Sequence, residues 1–337
     1  MLTRQFERPI STSFKQDKHS GCHVIGVDIG GTNLRLALAD KSGAILGRWS
    51  RSTTGARNEN VIVELIREGF NALLAEASLP RSTVLAVAAG APGITDTDQG
   101  IVVATSYLMG WRDVPLRALL EAALGVPVSI DNDVNLAALG EAHSGVAQGV
   151  DDFVFLGIGT GMGAGIVING QLHRGCIWSA GEVGYMLVPG TSEALVDRGT
   201  PGPLEEIVGG QGIRFQWQSR WSERLTPLPQ DAIATEIFDH ALAGNALAQE
   251  VVQLAGRTLA YAIYNISLIL NSPLFVLGGT VGMHPALGDA ARKVLSQLGE
   301  RVQPKLVASA LGPDAQLRGA VFLAVETARN NLAPARG

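Results

Sequence analysis

The sequence predicts an α/β protein of two domains separated by a cleft. Two observations carry this. A strand, a turn of glycine and threonine, and a second strand occur at residues 24–35 and again at 153–168, about one domain apart. Between and after them, strand-length apolar runs alternate with apolar residues at helical spacing. A chain of 337 residues is long enough for two such units.

In chain order, residues 1–22 read as a flexible leader without periodicity or an apolar segment, so they are not expected to act as a signal peptide. Residues 23–52 read as an antiparallel meander. Val61, Ile62, Leu65, Ile66, Phe70, Leu73 and Leu74 recur as on one helix face before Pro80. A buried strand at 84–89 ends in Gly90-Ala91-Pro92-Gly93. Leu116, Leu119, Leu120, Ala123 and Leu124 mark a helix, and 126–130 a strand delivering Asp131-Asn132-Asp133. A helix follows from 134 to 143. After the second strand–turn–strand come helices near 231–243 and 245–270, a strand at 274–277, and a closing helix near 318–329.

Composition excludes several classes. Hydrophobic residues make up 46% and charged residues 17%, as in a soluble enzyme with large cores. The net charge of −5 and the lack of any basic run argue against a nucleic-acid partner. The apolar stretch 259–270 is too short to cross a bilayer, so no membrane partner is expected. Two cysteines, Cys22 and Cys176, cannot build a disulfide framework, which suits a cytoplasmic location.

The glycine turns carry the chemistry. Gly30, Gly31 and Thr32 follow the apolar run that ends at Asp28-Ile29; Thr160 and Gly161 follow Ile158 and Gly159. Turns of this kind bare backbone N–H groups to an anion. Gly159-x-Gly161-x-x-Ala164 formally matches a dinucleotide fingerprint. That motif needs a helix after the glycines, and Ile166-Val167-Ile168 reads as a strand. What remains is a pair of turns able to clamp a polyphosphate from two sides. Asp133, at a strand end and a helix start, is either a plain N-cap or the reactive carboxylate; its dense surroundings, Asp131-Asn132-Asp133-Val134-Asn135, favour the second.

With these motifs in place, the chain from about 23 to 328 resembles the ROK family (repressor, open reading frame, kinase) of actin-like sugar kinases. Residues 28–35 resemble its first phosphate motif and 157–163 its second. Residues 90–93 and 108–111 resemble its sugar-side loops, 131–135 its catalytic segment, 181–184 and 204–205 its sugar-binding glutamates, and 277–279 its nucleotide-side turn. The resemblance implies two ribonuclease-H-like domains: 23–133 plus 313–330, and 134–312. It implies ATP-dependent phosphorylation of a hexose, glucokinase-like. The alternatives are an N-acetylmannosamine, other amino-sugar or fructose kinase, or a sugar-sensing regulator.

By the same resemblance Asp133 is the general base. Asn132, Glu182, Glu205 and Gly90 bind sugar. Asp28, Gly30, Gly31, Thr32, Thr160, Gly161 and Gly279 serve ATP and its Mg²⁺, and the protein is a homodimer. Trp111 reads as core and Arg35 as an ion-pair partner. Two departures stand out. The family's zinc histidine and its cysteines are missing, with Tyr185 at the histidine position and 196–203 free of cysteine, so no structural zinc is expected. Tyr107 replaces a common sugar-side asparagine.

Overall fold

The computed structural model describes residues 22–54, 58–105, 110–193, 200–299 and 301–332. The chain opens with β1 (His23–Ile29), β2 (Asn33–Asp40) and β3 (Ile45–Ser52), an antiparallel meander. After α1 (Glu59–Glu76), β4 (Val84–Ala91) returns parallel to β1. A small sheet of β5 (Ile94–Asp96), β6 (Ile101–Ala104) and β7 (Arg112–Val114) leads into α2 (Leu116–Leu124). Then β8 (Val128–Asn132) pairs parallel with β4. The first large sheet is ordered β3-β2-β1-β4-β8. One of its faces is covered by Ile62, Ile66 and Phe70 of α1 and Leu116, Leu120 and Leu124 of α2.

From α3 (Asp133–Ser144) the chain repeats the plan. β9 (Phe153–Ile158), β10 (Met162–Ile168) and β11 (Gln171–Leu172) are antiparallel neighbours. A helical layer follows: α4 (Glu205–Val208), α5 (Gly210–Arg220), α6 (Ala234–Leu242) and α7 (Ala246–Leu270). β12 (Leu274–Gly278), α8 (Gly279–Gly282), α9 (Pro285–Leu295) and β13 (Lys305–Ala308) complete it. The second sheet is ordered β11-β10-β9-β12-β13. Strand directions match the first sheet, and so does the register: Asp28 lies opposite Gly90 in one, Gly157 opposite Gly278 in the other.

The final helix, α10 (Ala315–Leu332), lays Leu317, Val321, Ala324, Val325 and Ala328 on Val24, Ala37, Ala39, Ala86 and Ala88 of the first sheet. Conversely α3 packs Ala137 and Ala138 with Phe153, Phe155, Val167 and Val276 of the second. Small side chains on both helices let them sit close to their sheets and to each other. The carboxylate of Glu141, fully buried on α3, ties the two crossings together. Its Oε2 accepts the Val146 N–H at 2.8 Å. Its Oε1 accepts the Leu311 N–H at 3.1 Å and the Ser309 hydroxyl.

Most elements fall where the sequence places them. The meander, the helix before Pro80 and the strand after Gly161 are all present, so the dinucleotide alternative is excluded on structure. The strand expected at 126–130 is displaced to Val128–Asn132, because Pro127 has no N–H to give a ladder; its carbonyl instead accepts the Val87 N–H at 3.0 Å. The leader up to residue 21, Tyr107 and residues 108–109 lie outside the described residues.

Candidate functional site at the seam of two sheets

The site is built where β8 becomes α3. Asn132, not Asp133, is the N-cap: its Oδ1 accepts the N–H of Val134 at 2.8 Å and of Asn135 at 3.1 Å. Its Nδ2 donates to Gly93 O at 2.8 Å, anchoring the 90–93 turn. Asp133 stands at the first helical position, where its Oδ1 also accepts the Val134 N–H at 2.9 Å. The preceding Asp131 is buried and fully engaged. Its Oδ1 accepts Asn132 N (2.8 Å) and Asn135 Nδ2 (3.0 Å), and its Oδ2 accepts Arg174 Nη2 (2.6 Å) and Nε (3.0 Å).

Asp133 sits among like charges. Its carboxyl is pushed up to about 7 by surrounding protein first, then by Asp28, and further by Glu182; the Val134 N–H works against this. The residue is nonetheless only partly covered. Glu182 is raised in turn, by surrounding protein and by Glu205, even though part of its surface faces solvent. Asp28 is buried and raised too, burial outweighing the opposing Arg35 cation. Arg35 Nε donates to Asp28 Oδ2 at 2.8 Å, and its Nη1 to Pro313 O at 2.6 Å, linking β1 to the start of α10. The carboxylates of Asp28, Asp133, Glu182 and Glu205 thus form one electrostatically linked series.

Glu205, the first residue of α4, accepts the Met162 N–H at 2.7 Å, so it also fixes the second glycine turn. That turn is held by α5, whose Gly210 and Gln211 N–H groups donate to Gly159 O (2.8 Å) and Thr160 O (3.1 Å). Thr160 is exposed, and a Cβ added to Gly159 would project into open space. The first turn is pinned to β3: Thr53 Oγ1 donates to Gly30 O and Thr53 N to Thr32 O, both at 2.9 Å, leaving Gly31 and Thr32 exposed. Both turns therefore fit an anion. Gly279 backs the second turn, where an added Cβ would lie 2.3 Å from Ile158 O, and Gly90 backs onto Leu136 and Asp133.

A recess beside Asp133 is lined by Asn132, Asn135, Trp178 and Glu182 with the backbone of 163–164 and 180–181. Sequence reasoning missed Trp178 and Arg174, whose one available signal was their closeness to Glu182; Asn135 it named only as part of the 131–135 cluster, without a role. Trp111 is core at 3% exposure, and Met162 is core as well. The Tyr185 hydroxyl donates to Thr200 O at 3.0 Å. Pro203 next to it is buried. Residues 194–199 of that loop lie outside the described residues, and among the described ones no group of three His, Cys, Asp or Glu side chains is placed to hold a metal.

Two sheets of identical strand order, each giving a glycine turn to a polar seam, define the ribonuclease-H-like, actin-like ATPase class. Within that class the ROK family model matches residues 24–327, and the chain belongs to the ROK family. It is 32% identical over 280 residues to a glucokinase of Halalkalibacterium halodurans, covering 81% of this chain and 84% of the relative. A ROK glucokinase of Streptomyces griseus, solved with glucose and AMPPNP, is 28% identical with a TM-score of 0.75, covering 90% of this chain and 99% of that one. A ROK transcriptional regulator homologous to the E. coli MLC protein is 26% identical with a TM-score of 0.78, covering 93% of this chain and 80% of its own. Among the described residues no helix is long and apolar enough to cross a membrane.

Proposed function

We propose that this protein transfers the γ-phosphoryl of ATP to a hydroxyl of a hexose. The observation that carries the reading is Asp133: a carboxyl lifted to about 7, just after the N-cap Asn132, beside a recess lined by Asn132 and Glu182. A general base works best with a pKa near the working pH, and proton removal contributes about 10²–10⁴-fold. The similarity to a glucokinase over most of both chains supports the same reading.

In this mechanism the sugar enters the recess and its hydroxyls bond to Asn132, Glu182 and Glu205, which offer amide and carboxylate acceptors. Asp133 takes the proton of the attacking hydroxyl. The exposed turns at Gly30–Thr32 and Thr160–Gly161, with Gly279 behind the second, cradle the phosphates from opposite sheets. Bound ATP with Mg²⁺ supplies the phosphoryl group and offsets its charge. Asp28 is the carboxylate suited to the Mg²⁺ side through water, its Oδ2 already committed to Arg35. Residues 23–133 with 313–330 would form one domain and 134–312 the other.

The test is ADP release in a coupled assay over a panel of hexoses, N-acetylhexosamines and fructose. At least one sugar should stimulate release well above background. If none does while a sugar still binds, the family's regulator role replaces the kinase one.

A further inference from the structure

The loop between β11 and Glu182 contains three residues in the left-handed region: Gly175 (φ +74°), Trp178 (φ +57°) and Gly181 (φ +96°). For Gly181 the residue choice follows from space, since a Cβ there would lie 2.0 Å from Ala164 O. Trp178 adopts the same region with a bulky side chain, which is a genuine backbone outlier. The loop around it is held at both ends. Arg174 is paired to Asp131 at 2.6 Å, Ala180 N donates to Arg174 O at 3.2 Å, and Ala164 N donates to Gly181 O at 2.8 Å. Glycine would serve the conformation without strain, so the indole is kept for what it faces.

What it faces is the recess beside Asp133, where Asn132, Asn135 and Glu182 supply polar atoms. A hexopyranose has hydroxyls around its edge and C–H groups on its faces. An aromatic wall beside amide and carboxylate acceptors matches both. We infer that Trp178 is a specificity-determining residue whose indole packs on the C–H face of a hexopyranose while Asn132 and Glu182 bond its hydroxyls. The inference rests on the sugar-phosphorylating reading and narrows its substrate to ring-closed pyranoses with an open C–H face.

The experiment is calorimetric titration of the full-length protein, without nucleotide, using D-glucose and N-acetyl-D-mannosamine, on the wild type, Trp178→Gly and Trp178→Phe. Trp178→Gly should weaken the better-bound sugar about fivefold to tenfold, one aromatic contact's worth. KM in the ADP-release assay should rise with it. Trp178→Phe should stay within about threefold, since it keeps an aromatic face. Melting of Trp178→Gly should occur at or above the wild-type temperature, because the backbone strain is gone. Unchanged sugar affinity in Trp178→Gly overturns the inference, and so does a large fall in its melting temperature, which would make the indole a packing residue. If neither sugar binds the wild type, the titration is run with whichever sugar of the ADP-release panel does; if no sugar of that panel binds, the sugar reading itself falls and takes this inference with it.

Discussion

Gly140 on α3 and Gly319 on α10 meet where the two helices cross. A Cβ on Gly140 would stand 3.2 Å from Gly319 N and 2.3 Å from Ala315 O, and one on Gly319 would stand 1.7 Å from Leu136 O. The contact is backbone against backbone, so neither helix can yield by rotating a side chain. Gly319→Ala is expected to cost about 3 kcal/mol of stability through overpacking. Denaturant titration checks it; a midpoint shift as small as that of an exposed helix substitution would refute the close crossing.

Asp133 sets the pH behaviour. As a base it must be ionised, so kcat/KM should fall about tenfold per unit below pH 7. Asp133→Asn should lose about 10²–10⁴-fold in kcat while retaining sugar binding by calorimetry.

Stability should run the other way. The folded carboxyl, at about 7, holds its proton above the ordinary carboxylate range, so the folded state binds more protons than the unfolded one between about pH 4 and 7. Its contribution to stability therefore declines as pH rises through that window. Asp133→Asn removes the decline, and melting curves should show the variant gaining on the wild type at pH 8 relative to pH 5.

Glu182 raises Asp133 through charge. Glu182→Gln should move the acid limb of the rate profile to lower pH and raise the sugar KM. An unmoved limb would mean the two carboxylates are not coupled.

Arg174 is the cation paired with the buried carboxylate of Asp131. Arg174→Gln strands that charge and should cost about 2 kcal/mol, with Arg174→Lys intermediate because a point charge replaces a two-pronged fork. Urea unfolding of the three proteins measures the order; equal midpoints would remove the pair from any supporting role.

The large sheets were legible because their strands are apolar, β-rich and bounded by glycine. The signal is strongest where burial is nearly continuous, as in β1, or confined to one face, as in α1. The small sheet β5–β7 was not legible: its strands are three or four residues long and carry Asp96, Arg112 and Asp113. Helix α5 escaped for a related reason. Its sequence, Gly210-Gln-Gly-Ile-Arg-Phe-Gln-Trp-Gln-Ser-Arg220, buries only Ile213 and Trp217 among its large apolar side chains. In the site, Asp133, Asn132, Glu182 and Glu205 could be named from local motifs. Arg174 and Trp178 had only their nearness to Glu182 to mark them, since the bond that ties Arg174 to Asp131 joins β8 to a loop 43 positions away.

The matching register of the two sheets makes Asp28 and Gly157 counterparts under an internal pseudo-twofold, each opposite a glycine on the neighbouring parallel strand. One counterpart carries a carboxylate and the other a hydrogen atom. The scaffold is thus nearly symmetric while its side chains at that register are not: the first sheet carries an Asp28–Arg35 ion pair there and the second carries glycine. A repeat that kept its strand order and register thus let one position diverge from charge to bare backbone without changing the sheet around it.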